Sequence, residues 1–142
     1  MIAREAIVAA AENWLGTPYH HQASVKGAGC DCLGLIRGIW RELLGPEPEA
    51  MPGYTQDWGD VTGSEPLLAA ARRNLIAVDK ESAQPGDVIV FRMQAGVAKH
   101  AGILTDKEHF IHAVEDIGVA EVVLTRWWRR RIVAAFQFPG AG

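Results

Sequence analysis

The sequence contains only two cysteines and few aromatic residues, and it carries no excess of positive charge. One residue separates Cys30 from Cys32, and a disulfide across so short a loop would be strained, so we expect two free thiols. Lys and Arg number 14 against 17 Asp and Glu, which gives a net charge of −3. This balance does not favour a general electrostatic attraction to nucleic acid or anionic lipid.

Long hydrophobic runs are also missing. No stretch approaches the roughly 20 apolar residues that a membrane-spanning helix needs. The first residues are interrupted by Arg4, Glu5 and Glu12, so they lack the continuous apolar segment of a secretory signal. We therefore expect synthesis in the cytoplasm without an export signal, and no membrane span.

The overall composition is that of a globular protein. Of the 142 residues, 49% are hydrophobic and 22% are charged, which argues against disorder, collagen-like repeats and coiled coils. A chain of this length usually forms one domain with enough buried surface for a core. We predict a single domain over residues 1–142.

Hydrophobic periodicity predicts helices first and strands afterwards. The predicted helices cover 2–15, 31–44 (beginning at Asp31 or Cys32) and 64–75 (with Ser64 as N-cap). The predicted strands cover 88–91, 100–104, 109–113, 119–124 and 132–138. Gly34 and Gly38 in the second helix would let another element pack closely. The order predicts an α+β fold in which N-terminal helices pack on an antiparallel sheet of about five strands.

The segment around Cys32, where a loop enters the second helix, is the most informative for chemistry. A thiol in the first helical turn feels the positive end of the helix dipole, which favours the nucleophilic thiolate. Such a nucleophile needs a base, and His100 and His112 lie on neighbouring predicted strands. If those strands form a hairpin, one imidazole could take the thiol proton while the other orients it. Taken alone, Cys32 would more often be a buried, inert cysteine.

Four sequence blocks occur in an order that resembles the NlpC/P60 family of cell-wall cysteine peptidases. They are GTPY at 16–19, GCDCLGLI at 29–36, QPGDV at 84–88 and HAGI at 100–103. The tail at 127–139 looks like the branch carried by phages and gene transfer agents. The resemblance implies a papain-like fold that hydrolyses peptide bonds in peptidoglycan stem peptides, in many members the bond between D-γ-glutamate and a diamino acid.

Residue by residue, the resemblance implies that Cys32 is the nucleophile, His100 the base and His112 the orienting residue. It places Tyr19 beside the substrate pocket and gives Asp31 a part in recognising the stem-peptide amine. It requires no metal and no organic cofactor.

Two positions depart from the family pattern. Leu33 replaces the usual serine after the nucleophile, which removes a polar group near the specificity pocket. Cys30 is open to several interpretations: a packing residue, a spare thiol, a metal ligand or a redox partner.

Other functions remain open at this stage. One is a zinc site, for which the possible ligands are Cys30, Cys32, His20, His21, His100 and His112, although their spacing fits no standard zinc pattern. Another is a non-catalytic wall-binding or tail module of the same fold. If the phage-like branch is right, tail proteins are partners, and the protein acts from a particle on the periplasm or cell wall.

Two further groups of residues have both a functional and an ordinary interpretation. His20 and His21 could line the substrate groove or be solvated loop residues. The arginines at 126–131 could dock on a partner or an anionic wall polymer. The ordinary alternative for these arginines is a basic rim beside the two amphipathic tryptophans Trp127 and Trp128.

Overall fold

The computed structural model describes residues 1–49, 66–93, 98 and 100–142. The first part contains helix α1 (Arg4–Glu12), the short strands β1 (Ser24–Val25) and β2 (Gly29–Cys30), and the helices α2 (Cys32–Leu44) and α3 (Pro66–Asn74). The second part contains β3 (Ile76–Val78), β4 (Val88–Phe91), β5 (His100–Leu104), β6 (His109–Val114), β7 (Gly118–Val123), α4 (Arg126–Arg129) and β8 (Ile132–Gln137).

The larger sheet has the order β3-β8-β4-β5-β6-β7, and every neighbouring pair is antiparallel. This confirms the predicted α+β fold with helices on an antiparallel sheet. Among the described residues the sheet has six strands rather than about five, because β3 pairs with β8 at one edge. The sequence did not predict β3, since a strand of three residues is too short to show an alternating pattern and no turn signal separates it from α3.

Helix α2 occupies the predicted range because its N-cap and the spacing of its apolar residues specify the same helix. The Asp31 carboxylate accepts a hydrogen bond from the Gly34 N–H at 2.7 Å and caps the first turn. Leu35 and Ile39 on the inner face are fully buried. A Cβ at Gly38 would overlap the Trp14 indole, which confirms the predicted close packing at this glycine.

Helix α1 is shorter than the predicted 2–15. Its inner face, including Ile7, is buried as expected, but Leu15 lies beyond the helix and is 43% exposed. The chain turns at Gly16, whose φ is +85° and whose N–H donates to the Val119 carbonyl of β7. This turn directs the following loop towards the N-terminus of α2. The predicted cap Ser64 lies outside the described residues.

A buried ion pair joins α1 to the beginning of β4. Arg4 Nη1 lies 2.7 Å from Asp87 Oδ1, and the other carboxylate oxygen accepts the Gln84 N–H at 2.8 Å. Asp87 is 1% exposed. The 84–88 block is therefore explained by structure: it fixes the sheet against the helical part.

In the part of the chain that the structure describes, no helix is long and apolar enough to cross a membrane.

Candidate active site

Cys32 is the first residue of α2, and its thiol lies against the first residues of β5. The side chain is partly accessible, whereas that of Cys30 is fully buried in the core. The Cys32 sulfur takes backbone hydrogen bonds from Leu33 and from Ala101, the residue that follows His100. The nucleophile predicted from sequence therefore lies at the beginning of β5, beside the predicted base.

His100 and His112 are brought together by the antiparallel pairing of β5 with β6, as the predicted hairpin requires. The distance from His100 Nε2 to His112 Nδ1 is 2.7 Å, a short hydrogen bond. Ile103 pairs with Ile111, and this register places His112 opposite Gly102. A Cβ at Gly102 would lie 2.8 Å from the Phe110 ring and 3.2 Å from the His112 Cβ, so the glycine leaves room for both side chains.

The electrostatics of the site differ from the sequence-based expectation. Burial, and after it the charge of Asp31, raise the pKa of the Cys32 thiol to about 12, although the backbone hydrogen bonds oppose the shift. Burial and the neighbouring His112 lower the pKa of His100 to about 3. The raised pKa of Cys32 runs against the expectation that the helix position favours a thiolate, because desolvation outweighs the backbone hydrogen bonds to the sulfur. At neutral pH the thiol and the imidazole are both uncharged.

An aromatic enclosure accounts for the desolvation of the histidines. The ring of Phe110 lies 4.6 Å from that of His112, and Phe91 lies 5.8 Å from His100, centroid to centroid. Trp128 on α4 completes it, at 5.1 Å from His112 and 6.0 Å from His100. Burial lowers the pKa of His112 to about 4.

Sequence reasoning missed the place of Trp128 in this site. It placed the tryptophan beside a basic rim and predicted no helix where the chain forms the short helix α4. The neighbouring Trp127 is 48% exposed, in agreement with the rim. Residue spacing gave no sign that Trp128 contacts the histidines. In the chain α4 lies between β7 and β8, and the pairing of these strands with the rest of the sheet decides where α4 packs.

Tyr19 also lies near the nucleophile. It forms a β-bridge with Cys30. Burial, followed by the proximity of Cys32 and then Asp31, raises the pKa of the Tyr19 hydroxyl to about 12. The hydroxyl thus stays protonated at neutral pH and can donate a hydrogen bond near the sulfur.

An open cleft of about 520 Å³ begins at Tyr19. It is lined by Pro18, Tyr19, His20, His21, Glu115, Asp116 and Ile117. The two loop histidines therefore line a groove that shares Tyr19 with the candidate site, and His20 is exposed there.

Asp31 has a structural role that the sequence only partly indicated. One carboxylate oxygen caps α2, and the other accepts the Gln22 N–H at 2.7 Å. Gln22 has a φ of +65°, so the carboxylate holds this loop in an unusual conformation. Contact between Asp31 and a substrate amine stays a prediction.

Cys30 packs in the core, which agrees with its interpretation as a packing residue. Within the described residues, no three His, Cys, Asp or Glu side chains converge in a way that could hold a metal ion.

Comparisons with known proteins agree with the sequence blocks. The NlpC/P60 family model matches residues 16–137. The chain is 26% identical over 136 residues to the gamma-DL-glutamyl hydrolase of Bacillus subtilis (strain 168), a match that covers 93% of this chain and 29% of that protein. The chain therefore spans less than a third of the length of this relative.

Two solved structures share the fold. An NlpC/P60 family protein from Bacillus cereus ATCC 10987 superposes with a TM-score of 0.69 at 23% identity, covering 96% of this chain and 40% of that one. The NlpC/p60 domain of the peptidoglycan hydrolase SagA gives a TM-score of 0.69 at 21% identity, covering 96% of this chain and all of that one (100%).

Proposed function

Because the chain belongs to the NlpC/P60 family, we propose that it is a cysteine peptidase that hydrolyses peptide bonds in peptidoglycan stem peptides. The observation that carries the proposal is the placement of Cys32 at the N-terminus of α2, beside a hydrogen-bonded histidine pair. A nucleophile beside a base that is hydrogen-bonded to an orienting group is the minimum set for acyl transfer.

Because the Cys32 thiol and the His100 imidazole both start uncharged, the proton must move during the attack. As the Cys32 sulfur attacks the scissile carbonyl, His100 takes the thiol proton and a C–S bond forms. The resulting imidazolium protonates the departing amine when the C–N bond breaks, leaving a thioester. Water then attacks the thioester with His100 as base, the C–S bond breaks, and the sulfur regains its proton.

The oxyanion of each tetrahedral intermediate needs donors placed before the reaction. The Cys32 backbone N–H is at the positive end of α2, where the first N–H groups have no partner within the helix. The Tyr19 hydroxyl is protonated at neutral pH and close to the sulfur. These two groups are our candidates for the oxyanion site.

The bond between D-γ-glutamate and a diamino acid is the proposed point of cleavage. Similarity to a gamma-DL-glutamyl hydrolase supports this choice. Leu33 stands where the family usually has serine, so a polar group near the specificity pocket is missing. This supports a substrate specificity that does not depend on a free stem-peptide amine.

Digestion of purified Gram-negative peptidoglycan, followed by mass spectrometry, tests the proposal. Wild type and Cys30→Ala should release the same new stem-peptide fragments, and Cys32→Ala should release none. Cys30 is the matched control because it is a thiol two residues away that points into the core. The fragment masses identify the bond. Absence of fragments with folded, reduced wild type would favour a non-catalytic wall-binding module.

The setting of the reaction is also a proposal. The resemblance of the tail at 127–139 to the phage and gene-transfer-agent branch supports incorporation into a phage-like particle that opens the cell wall from outside. Co-purification with tail proteins tests this, and a particle fraction free of the chain would contradict it.

A further inference from the structure

The enclosure of the histidine pair has one member that is not part of the core. Phe91 and Phe110 are fully buried on the sheet, whereas Trp128 is half-buried on α4. Its indole stands edge-on to the His112 ring, at 89°, and lies closer to parallel with the His100 ring, at 30°. The same side chain thus contacts both imidazoles from the side nearer to solvent.

We propose that Trp128 is a positioning residue that fixes the orientation of the His100–His112 pair and excludes water from it. The proposal rests on the proposed peptidase function, in which His100 must present one nitrogen to the Cys32 thiol.

The indole is itself held in place. Its centroid lies 5.0 Å from that of Phe91 and 5.1 Å from that of Phe110, both with edge-to-face geometry. Such edge-to-face aromatic pairs are favourable beyond the area that they bury. A side chain packed on two core rings can act as a rigid wall for the histidines.

Helix α4 is also tied to the hairpin that carries both histidines. The Arg129 guanidinium donates to the Lys107 carbonyl in the β5–β6 turn at 2.6 Å. The Arg131 guanidinium donates to the Trp127 carbonyl at 2.8 Å and stacks on the Trp127 ring at 3.6 Å. These contacts keep Trp128 in register with the hairpin.

The charged groups around the histidine pair are not altered when Trp128 is replaced, so the main effect of the indole on the pair is to exclude water. Besides the two histidines, the elements packed around the pair carry Cys32 on α2, Arg92 after β4, Glu121 on β7, and Arg126 and Arg129 on α4. Arginines stay protonated throughout. Glu121 is exposed and accepts a hydrogen bond from Thr105. Replacing Trp128 changes no charge, so a shift in imidazole titration reports hydration and orientation.

The test compares Trp128→Ala, Trp128→Leu and Trp128→Phe with Trp127→Ala, the matched control from the exposed neighbour. NMR titration of the histidines and peptidoglycan-fragment kinetics are measured on each folded variant. We expect Trp128→Ala and Trp128→Leu to move the titration midpoints of the pair towards about 6.5. We expect kcat to fall about 10- to 100-fold with KM unchanged, and Trp128→Phe to restore both readouts in part.

Trp127→Ala removes a ring that packs on Trp128 and Arg131, so it should shift the titrations and kcat less than Trp128→Ala does. Unchanged titrations in Trp128→Ala and Trp128→Leu would overturn the proposal, as would equal effects of Trp127→Ala, which would assign the effect to α4 as a whole. If wild type cleaves no peptidoglycan, the proposed function fails. The titrations, which need no substrate, still decide the role of Trp128.

Discussion

His100 Nε2 and His112 Nδ1 share one hydrogen bond, 2.7 Å long. Only one of the two nitrogens can carry the proton when both rings are neutral. If His100 is to accept the thiol proton at Nδ1, its Nε2 must be the donor and His112 Nδ1 the acceptor. His112 therefore selects the catalytically competent tautomer of His100 and stabilises the imidazolium that forms during attack.

This relationship predicts the effect of removing the acceptor. His112→Leu keeps an apolar side chain in the buried position but cannot accept a hydrogen bond. We expect kcat to fall by about 100- to 10,000-fold with little change in KM, measured on the released peptidoglycan fragments. His109→Asn, at a partly exposed histidine on the same strand, is the control and should keep wild-type rates. Equal activity of His112→Leu and wild type would remove His112 from the mechanism.

Acid should destabilise the protein through the same two residues. The pKa values of His100 and His112 are lowered to about 3 and about 4, so between these values and about 6.5 the unfolded chain binds more protons than the folded one. The contribution of the two histidines to the free energy of unfolding should then be constant above about pH 6.5 and fall below it, by up to about 1.4 kcal/mol per pH unit for each histidine. Denaturant titrations at stepped pH measure this slope.

The matched comparison is His100→Gln, which should have a shallower pH slope than wild type. An identical slope in the two proteins would mean that His100 does not titrate differently in the folded and unfolded states.

Reactivity of the thiol should depend steeply on pH. Because burial and Asp31 raise the pKa of Cys32 to about 12, and because only the thiolate is alkylated, the iodoacetamide rate should rise nearly tenfold per pH unit between about pH 6 and 9. Cys30→Ala leaves Cys32 as the single thiol for this measurement by mass spectrometry. A rate independent of pH over this range would reveal a thiolate–imidazolium pair in the free protein.

Asp31 couples stability to thiol reactivity. Asp31→Ala removes the acceptor of the Gly34 and Gln22 N–H groups and should lower the free energy of unfolding by about 1–2 kcal/mol. Asp31→Asn keeps one acceptor oxygen and should cost less. Both changes remove a negative charge that raises the pKa of Cys32, so alkylation at neutral pH should become faster. Unfolding curves and alkylation rates check the two effects separately, and slower alkylation in both variants would contradict the electrostatic argument.

Much of this site could be predicted because its main parts are local in sequence. The position of Cys32 at the beginning of α2 follows from the Asp31 cap and the apolar spacing behind it. The approach of His100 to His112 follows from two strands joined by a short turn. Ordered sequence blocks, spread along most of the chain, indicated the family that the family model shows.

What the sequence alone determined was therefore the succession of helices and strands and the residue types at their ends, since caps, periodicity and turns act over a few neighbouring residues. Only the tertiary structure decided the protonation of the site and the role of Trp128. Both depend on burial by segments far apart in the chain. Desolvation reverses the preference of an isolated helix N-terminus for thiolate, and the packing of α4 on the hairpin brings an indole onto the histidines. The pairing of β3 with β8 belongs to the same class, because a three-residue strand is specified by its partner rather than by its own pattern.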